Sequence, residues 1–271
     1  MENNPLLSCL PVSLFSAFFD RSMDVPAWSE AAAQMGLDRI DVNIRCLLDR
    51  DVDAVAAISR QLALPVLMVT TYSDFTNPTE EGRMLAVEQA KLDIRKTAAL
   101  GASYLRLTAG QSYPDQDETG TIEGVYRCFE ACIPDAEAAG IRLLIENHSK
   151  PGAWQYPDFN FHFDRMAALW QKLQALPIGV NYDTANAFAV EKWRDLLDLF
   201  RGRIETVHVN DLVSVQPLQF CCIGDGIVPL QEQFAAIYAT GFNGPICIEE
   251  AGMQGLEGIR RSIDFTKQLL K

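Results

Sequence analysis

The sequence predicts an α/β fold of the (β/α)8 barrel type. Three observations carry this reading. Short β-rich runs alternate with longer helical patterns along all 271 residues. Several of the helical patterns stop at a glycine, where the chain can turn back toward the next strand. Four apolar runs in the second half each end on a side chain able to bind a metal: LLIE at Glu146, GVNYD at Asp183, ETVH at His208 and ICIE at Glu249. Function in such barrels gathers at the C-terminal ends of the strands.

The β-rich runs cover residues 8–14, 39–43, 66–70, 104–108, 141–147, 178–183, 204–210 and 245–250. Helical patterns lie near 26–35, 52–63, 79–100, 122–139, 161–175, 187–200, 231–240 and 255–270. Gly36, Gly101, Gly140 and Gly241 stand just past helix ends, where a left-handed residue closes the last turn. Eight strand–helix units in a chain of this length suit one barrel. A doubly wound open sheet is the alternative. No linker or low-complexity tract interrupts the pattern, so residues 1–271 are expected to form a single domain. The apolar run 6–19 follows Glu2 rather than a basic segment and contains Pro11. It is too short to span a bilayer and is read as the first buried strand, not a leader.

Composition narrows the function. A net charge of −13 argues against nucleic acid and against an anionic membrane surface as partners. The seven cysteines are odd in number and contain no C-x-x-C pair, which fits reduced thiols in the cytoplasm. Cys128 and Cys132, four apart in a helical pattern, read as a buried stripe rather than a ligand pair. Trp28, Trp170 and Trp193 read as core.

Side chains two apart in a strand share a face. In the fifth run Leu143 and Ile145 oppose Arg142, Leu144 and Glu146; in the sixth Val180 and Tyr182 oppose Asn181 and Asp183. In the seventh Val207 and Val209 oppose Thr206 and His208; in the eighth Ile246 and Ile248 oppose Cys247 and Glu249. If the apolar set packs on the helices, Glu146, Asp183, His208 and Glu249 converge inside the barrel. The same parity selects Glu249 over Glu250, and turns Asp41, Asn43 and Arg106 inward. Buried charges need pairing or a cation. Three carboxylates and one imidazole suit one divalent ion: Mn2+, Co2+, Mg2+ or Zn2+.

Several further residues are expected near this site. His148 follows Glu146 by two and either contacts substrate oxygens or bonds to loop backbone. Asp211 follows His208 by three and either orients a ligand or makes a turn. Trp154 is placed to cover the apolar face of a sugar, or to pack its own loop. Arg106 and Arg142 either meet a substrate anion or pair with interior acids. His162 reads as structural or exposed. With no G-x-G-x-x-G and no Walker lysine, a nucleotide site is not expected.

ENH at 146–148, DTAN at 183–186, HVND at 208–211, GDG at 224–226 and the terminal IEE resemble the xylose isomerase-like barrels, within the sugar phosphate isomerase/epimerase superfamily. The resemblance follows element order over nearly the whole chain. In ketose 3-epimerases of that superfamily the residues matching Glu146, Asp183, His208 and Glu249 bind one metal, and the two glutamates act as the acid/base pair. The resemblance therefore implies an isomerase or epimerase of a sugar or sugar phosphate. A small-molecule sugar would be its substrate, and a homo-oligomer would be unsurprising, since dimers and tetramers are common among such barrels. Asn186 departs from the pattern, because many relatives carry His there. Asn can bond a substrate hydroxyl but is a poor metal ligand. With no histidine at the early strand ends, Asn186 also argues against a trinuclear zinc centre of the endonuclease-IV-like kind. A dehydratase of the inosose or dehydroshikimate type is the alternative on the same site. A catalytically silent barrel that binds a sugar or a partner is the third reading.

Overall fold

Parallel pairing sets the architecture. The computed structural model of the chain describes residues 5–149 and 154–271. Its strands are β1 (Leu7–Pro11), β2 (Ile40–Asn43), β3 (Val66–Thr70), β4 (Tyr104–Leu107), β5 (Arg142–Glu146), β6 (Gly179–Asp183), β7 (Ile204–Val209), β8 (Asp211–Val215), β9 (Leu218–Cys221) and β10 (Ile246–Glu250). Eight of them form one parallel sheet in the order β1-β10-β7-β6-β5-β4-β3-β2. The sheet curls so that its two edges meet: the Asp38 and Arg39 amides donate to the Leu7 carbonyl at 3.0 and 3.1 Å. The Leu7 amide returns a bond to Asp38 Oδ2 at 2.9 Å. The result is the expected (β/α)8 barrel rather than an open sheet.

The helices are α1 (Phe15–Asp20), α2 (Val25–Gln34), α3 (Val52–Gln61), α4 (Glu80–Ala99), α5 (Glu118–Ala139), α6 (Phe163–Leu173), α7 (Thr184–Ala189), α8 (Trp193–Leu199), α9 (Leu230–Ala239) and α10 (Gly255–Leu269). Several starts have a local cause. Asp24, Thr79 and Asp117 cap α2, α4 and α5 by accepting a backbone amide three residues on. Each of the glycines Gly36, Gly101, Gly140 and Gly241 takes a positive φ just past a helix. Apolar spacing of three and four then aims one face inward, as with Met166, Leu169, Trp170 and Leu173 of α6. That face meets the outward residues of the strands, including Leu143, Ile145, Val180, Tyr182, Val207, Val209, Ile246 and Ile248, in one continuous core. Leu67, Met68, Leu144 and Tyr104 form a separate cluster.

Three expectations need correction. The first strand stops at Pro11, not at residue 14: Val12–Leu14 is a 3-10 turn and α1 follows it. Leu14 and Phe18, four apart, bury one side of this stretch, which is helical spacing. The helix expected over 187–200 is two helices. The Asp183 side chain starts α7 at the very end of β6, and Glu191, at φ 56°, breaks the chain before α8. The hairpin β8–β9, which follows β7, is an addition to the expected strands.

That hairpin explains Asp211. Its carboxylate accepts four backbone amides, from Leu212, Gly224, Gly226 and Val228, at 2.9 to 3.1 Å. Of the two roles open in the sequence, it takes the turn. It holds the GDG loop against the base of the hairpin. The loop needs its glycines for this: Gly224 has φ +97°, and a Cβ on Gly226 would lie 2.2 Å from Asp211 Oδ1. Replacing Asp211 with Ala strands these donors and is expected to lower stability by roughly 2–4 kcal/mol. Urea unfolding of the purified variant reads this directly; an unchanged midpoint would contradict the assignment.

Candidate metal centre

Glu146, Asp183, His208 and Glu249 stand on β5, β6, β7 and β10, which are consecutive neighbours in the sheet. Register brings them level: Asp183 pairs with His208, and Glu249 lies two residues beyond Cys247, the partner of His208. Reciprocal side-chain bonds hold the strand ends where the ladder gives out. Asn147 Nδ2 donates to the Asp183 carbonyl and Asn147 Oδ1 accepts the Asp183 amide, both at 2.9 Å. Thr184 Oγ1 exchanges the same pair of bonds with the backbone of Asn210 at 2.9 Å. Asn160 Nδ2 donates to the Glu146 carbonyl at 2.7 Å. These clamps fix the backbone beneath the ligand side chains.

One donor atom from each of the four lies within 4.8 Å of the others, and all four residues are buried. His208 Nδ1 is 2.8 Å from Glu249 Oε2 and 3.8 Å from Glu146 Oε2. Arg106 Nε lies 2.9 Å from Glu146 Oε2, yet its N–H is not aligned for a hydrogen bond, so the contact is a charge pairing. Arg106 is held by donating from Nη1 to the Thr71 carbonyl at 2.7 Å. Neither Glu146 oxygen has a hydrogen-bond donor among the described residues, although Glu146 is only 1% exposed. A buried carboxylate so placed is costly unless a cation shares the space. Three carboxylate donors and an imidazole fit Mn2+, Co2+, Mg2+ or Zn2+.

The other expected residues divide. His148 is buried and its Nδ1 meets Asp158 Oδ1 at 2.7 Å. Trp154 Nε1 donates to the same oxygen at 2.9 Å. Residues 150–153, within the loop before Trp154, lie outside the described residues. The Tyr72 ring stands edge-on to both His148 and Trp154, with centroids 5.7 Å apart in each case. Asn186 is buried at the start of α7, and neither polar atom of its side chain has a hydrogen-bond partner among the described residues. Asp211 sits outside the cluster, at the start of β8, bonded to the GDG loop. Arg142 is at the opposite end of the barrel, paired with Glu205 and donating to the Pro177 carbonyl. His162 is exposed at the start of α6. Glu250 points away from the cluster and accepts the Gly252 amide at 2.7 Å.

A cavity of about 580 Å3 opens onto Glu249 and is lined by Asn43, Arg45, Tyr72 and Phe220. A larger groove of about 1220 Å3, beside Trp154 and Asp158, includes none of the four ligand positions in its wall. The smaller cavity meets the cluster at Glu249. Sequence reasoning missed Tyr72, Arg45 and Asp158. Tyr72 was within reach, since parity from Thr70 turns it inward. Arg45, whose guanidinium stacks 4.2 Å from the Tyr72 ring centroid, and Asp158 lie in stretches without periodicity.

Burial by itself opposes a charge on His208, but Cys247, Glu146 and Glu249 outweigh it and hold the imidazole well above its ordinary value. In metal-free protein this charge stabilises the fold fully below about pH 6.5, the unfolded value. The contribution disappears as pH rises through the raised folded value. Urea midpoints measured in chelator should therefore fall as pH rises above about 6.5, and His208→Gln should flatten that slope. An equal slope in wild type and variant would contradict the assignment.

Residues 29–269 match the family described as xylose isomerase-like TIM barrel. No curated protein matches the chain significantly. Among solved structures, the IolI protein with a bound zinc atom superposes with a TM-score of 0.78 at 15% identity, over 97% of each chain. D-psicose 3-epimerase with D-tagatose from Clostridium cellulolyticum gives 0.74 at 13% identity, covering 98% of this chain and 99% of its own. The probable 3-DHS dehydratase AsbF from Bacillus anthracis gives 0.76 at 14%, covering 96% and 98%. At these identities the structures speak for the fold, and the sequence match speaks for the family. The chain belongs to the xylose isomerase-like TIM barrel family.

Proposed function

We propose that the chain is a divalent-metal-dependent isomerase or epimerase of a sugar or sugar phosphate. The observation that carries this is the placement of Glu146 and Glu249. They are the outer two of the four ligands, on β5 and β10, with Asp183 and His208 between them. Two carboxylates so arranged flank whatever binds at the centre. The zinc in IolI and the D-tagatose in the 3-epimerase, on the same fold, support the reading. All seven cysteines are free thiols and no described helix is long and apolar enough to cross a membrane, which is compatible with a cytoplasmic enzyme.

Glu146, Asp183, His208 and Glu249 would hold the ion. When bound, a divalent cation supplies Lewis acidity to the carbonyl and hydroxyl oxygens of an α-hydroxy ketone and stabilises the enediolate. The remaining work falls to the chain. One glutamate removes the proton from the carbon beside the carbonyl, and the other returns a proton from the opposite face. Arg106 sets its positive charge beside Glu146. Asn43 and Arg45 at the cavity wall, and Asn186 and His148 deeper in, offer bonds to substrate hydroxyls. Tyr72, in the wall of that cavity, presents aromatic surface to its carbon face.

The His148–Asp158 pair favours one further reading. An imidazole fixed by a carboxylate can protonate a departing β-hydroxyl, which would make the enzyme a dehydratase on the same site. Incubation with ketoses, ketose phosphates and inososes in D2O separates the two. Deuterium in recovered substrate or its epimer without loss of water supports the isomerase; release of water supports the dehydratase. Glu146→Gln and Glu249→Gln should each slow proton exchange by about 100-fold or more. A Glu249→Gln protein that binds metal yet exchanges protons at full rate would overturn the assignment.

A further inference from the structure

The four ligands do not account for every unpartnered polar atom inside the barrel. Asp41 on β2 is 1% exposed, and both its carboxylate oxygens lack a hydrogen-bond partner among the described residues. His208 Nε2, on the far side of the ring from Glu249, also lacks one. So does Ser8 Oγ on β1, at the register position of Cys247. Asp41 Oδ2 is 3.7 Å from His208 Nε2. The donor atoms of Asp41, His208 and Cys247 all lie within 4.8 Å of one another, and all three residues are buried. Cys247 is absent from the apolar core that packs on the helices, while its neighbours Ile246 and Ile248 belong to it. Its thiol therefore points into the barrel with the other donors.

We propose a second cation site at this inner position, formed by Asp41, His208 Nε2 and Cys247 Sγ, for a thiophilic divalent ion such as Zn2+, Co2+ or Cd2+. Donor chemistry distinguishes the two sets. The outer one has oxygen and nitrogen donors and takes hard or borderline ions. The inner one adds sulfur, which selects softer ones. On binding, the S–H bond of Cys247 and the Nε2–H bond of the His208 imidazolium break, both protons leave to solvent, and a sulfur–metal bond forms. Asp41 contributes a carboxylate oxygen and His208 the lone pair of Nε2. The remaining imidazole proton then sits on Nδ1, where Glu249 Oε2 at 2.8 Å accepts it. A filled inner site thus withdraws His208 from the outer set and leaves three carboxylates there. This inference does not depend on the reaction catalysed.

Cobalt tests it, because thiolate ligation produces a near-ultraviolet sulfur-to-cobalt charge-transfer absorption that oxygen and nitrogen donors do not. Reduced, metal-stripped protein titrated with excess Co2+ should develop this band. Cys247→Ser should abolish it while still binding Mn2+, which also shows that the variant is folded. Asp41→Asn, which preserves shape and leaves Cys247 in place, should weaken Co2+ binding measured by the band by about tenfold or more. The proposal is overturned by absence of the band in wild type, by its persistence in Cys247→Ser, or by undiminished affinity in Asp41→Asn. Should Cys247→Ser fail to fold, the wild-type and Asp41→Asn titrations decide.

Discussion

The burial of four carboxylates around one imidazole is the constraint on which the rest of this structure depends. Asp41, Glu146, Asp183 and Glu249 all lie inside the barrel, facing His208 and the guanidinium of Arg106. Charges of one sign at this density cannot be left in a low-dielectric interior without a counter-charge. The protein supplies some of it. Arg106 pairs with Glu146, and the imidazole of His208 holds a proton tightly in the metal-free state. A divalent ion at the proposed site would supply the remainder, and in doing so would take the place of that proton.

Stability and function are linked through the strand ends. The barrel ladder fixes the strands up to the last residues of β5 and β6, and there side chains take over from backbone pairing. Asn147 bridges β5 to Asp183, and Thr184 bridges β6 to Asn210. Asp183 has two tasks, capping α7 through the Asn186 amide while standing in the donor cluster. The ligands are thus placed by bonds that satisfy backbone groups the fold must satisfy in any case. Asp211 does the equivalent at the hairpin, gathering four amides so that β8–β9 and the GDG loop keep a fixed shape.

Most of the fold was legible because a barrel strand encodes its two faces in a period of two. Parity alone separated Glu249, which is in the cluster, from Glu250, which is bonded to the Gly252 amide. It also turned Asp41 and Arg106 inward. What was illegible lay where no period applies. The split between α7 and α8 depends on a left-handed Glu191, a conformation the residue type does not announce. The extent of β1 was overread because an apolar run does not distinguish strand from 3-10 turn and helix without attention to the spacing of Leu14 and Phe18. Asp158 reaches His148 across the intervening loop, and only tertiary structure shows that contact. The role of Asp211 was ambiguous in sequence because a carboxylate after a strand serves a ligand or a turn equally well.

The central claim is that the side chains at the ends of β5, β6, β7 and β10 form one divalent-metal site. Asp183→Asn isolates that claim, because Asn caps a helix about as well as Asp and so preserves α7 while removing a ligand charge. The direct measurement is equilibrium Mn2+ binding followed by the electron paramagnetic resonance signal of the free ion. The expected result is one bound Mn2+ per chain in the wild type and an affinity lower by about tenfold or more in Asp183→Asn. A wild type that takes up no Mn2+, or an Asp183→Asn protein that binds it equally well, would contradict the account.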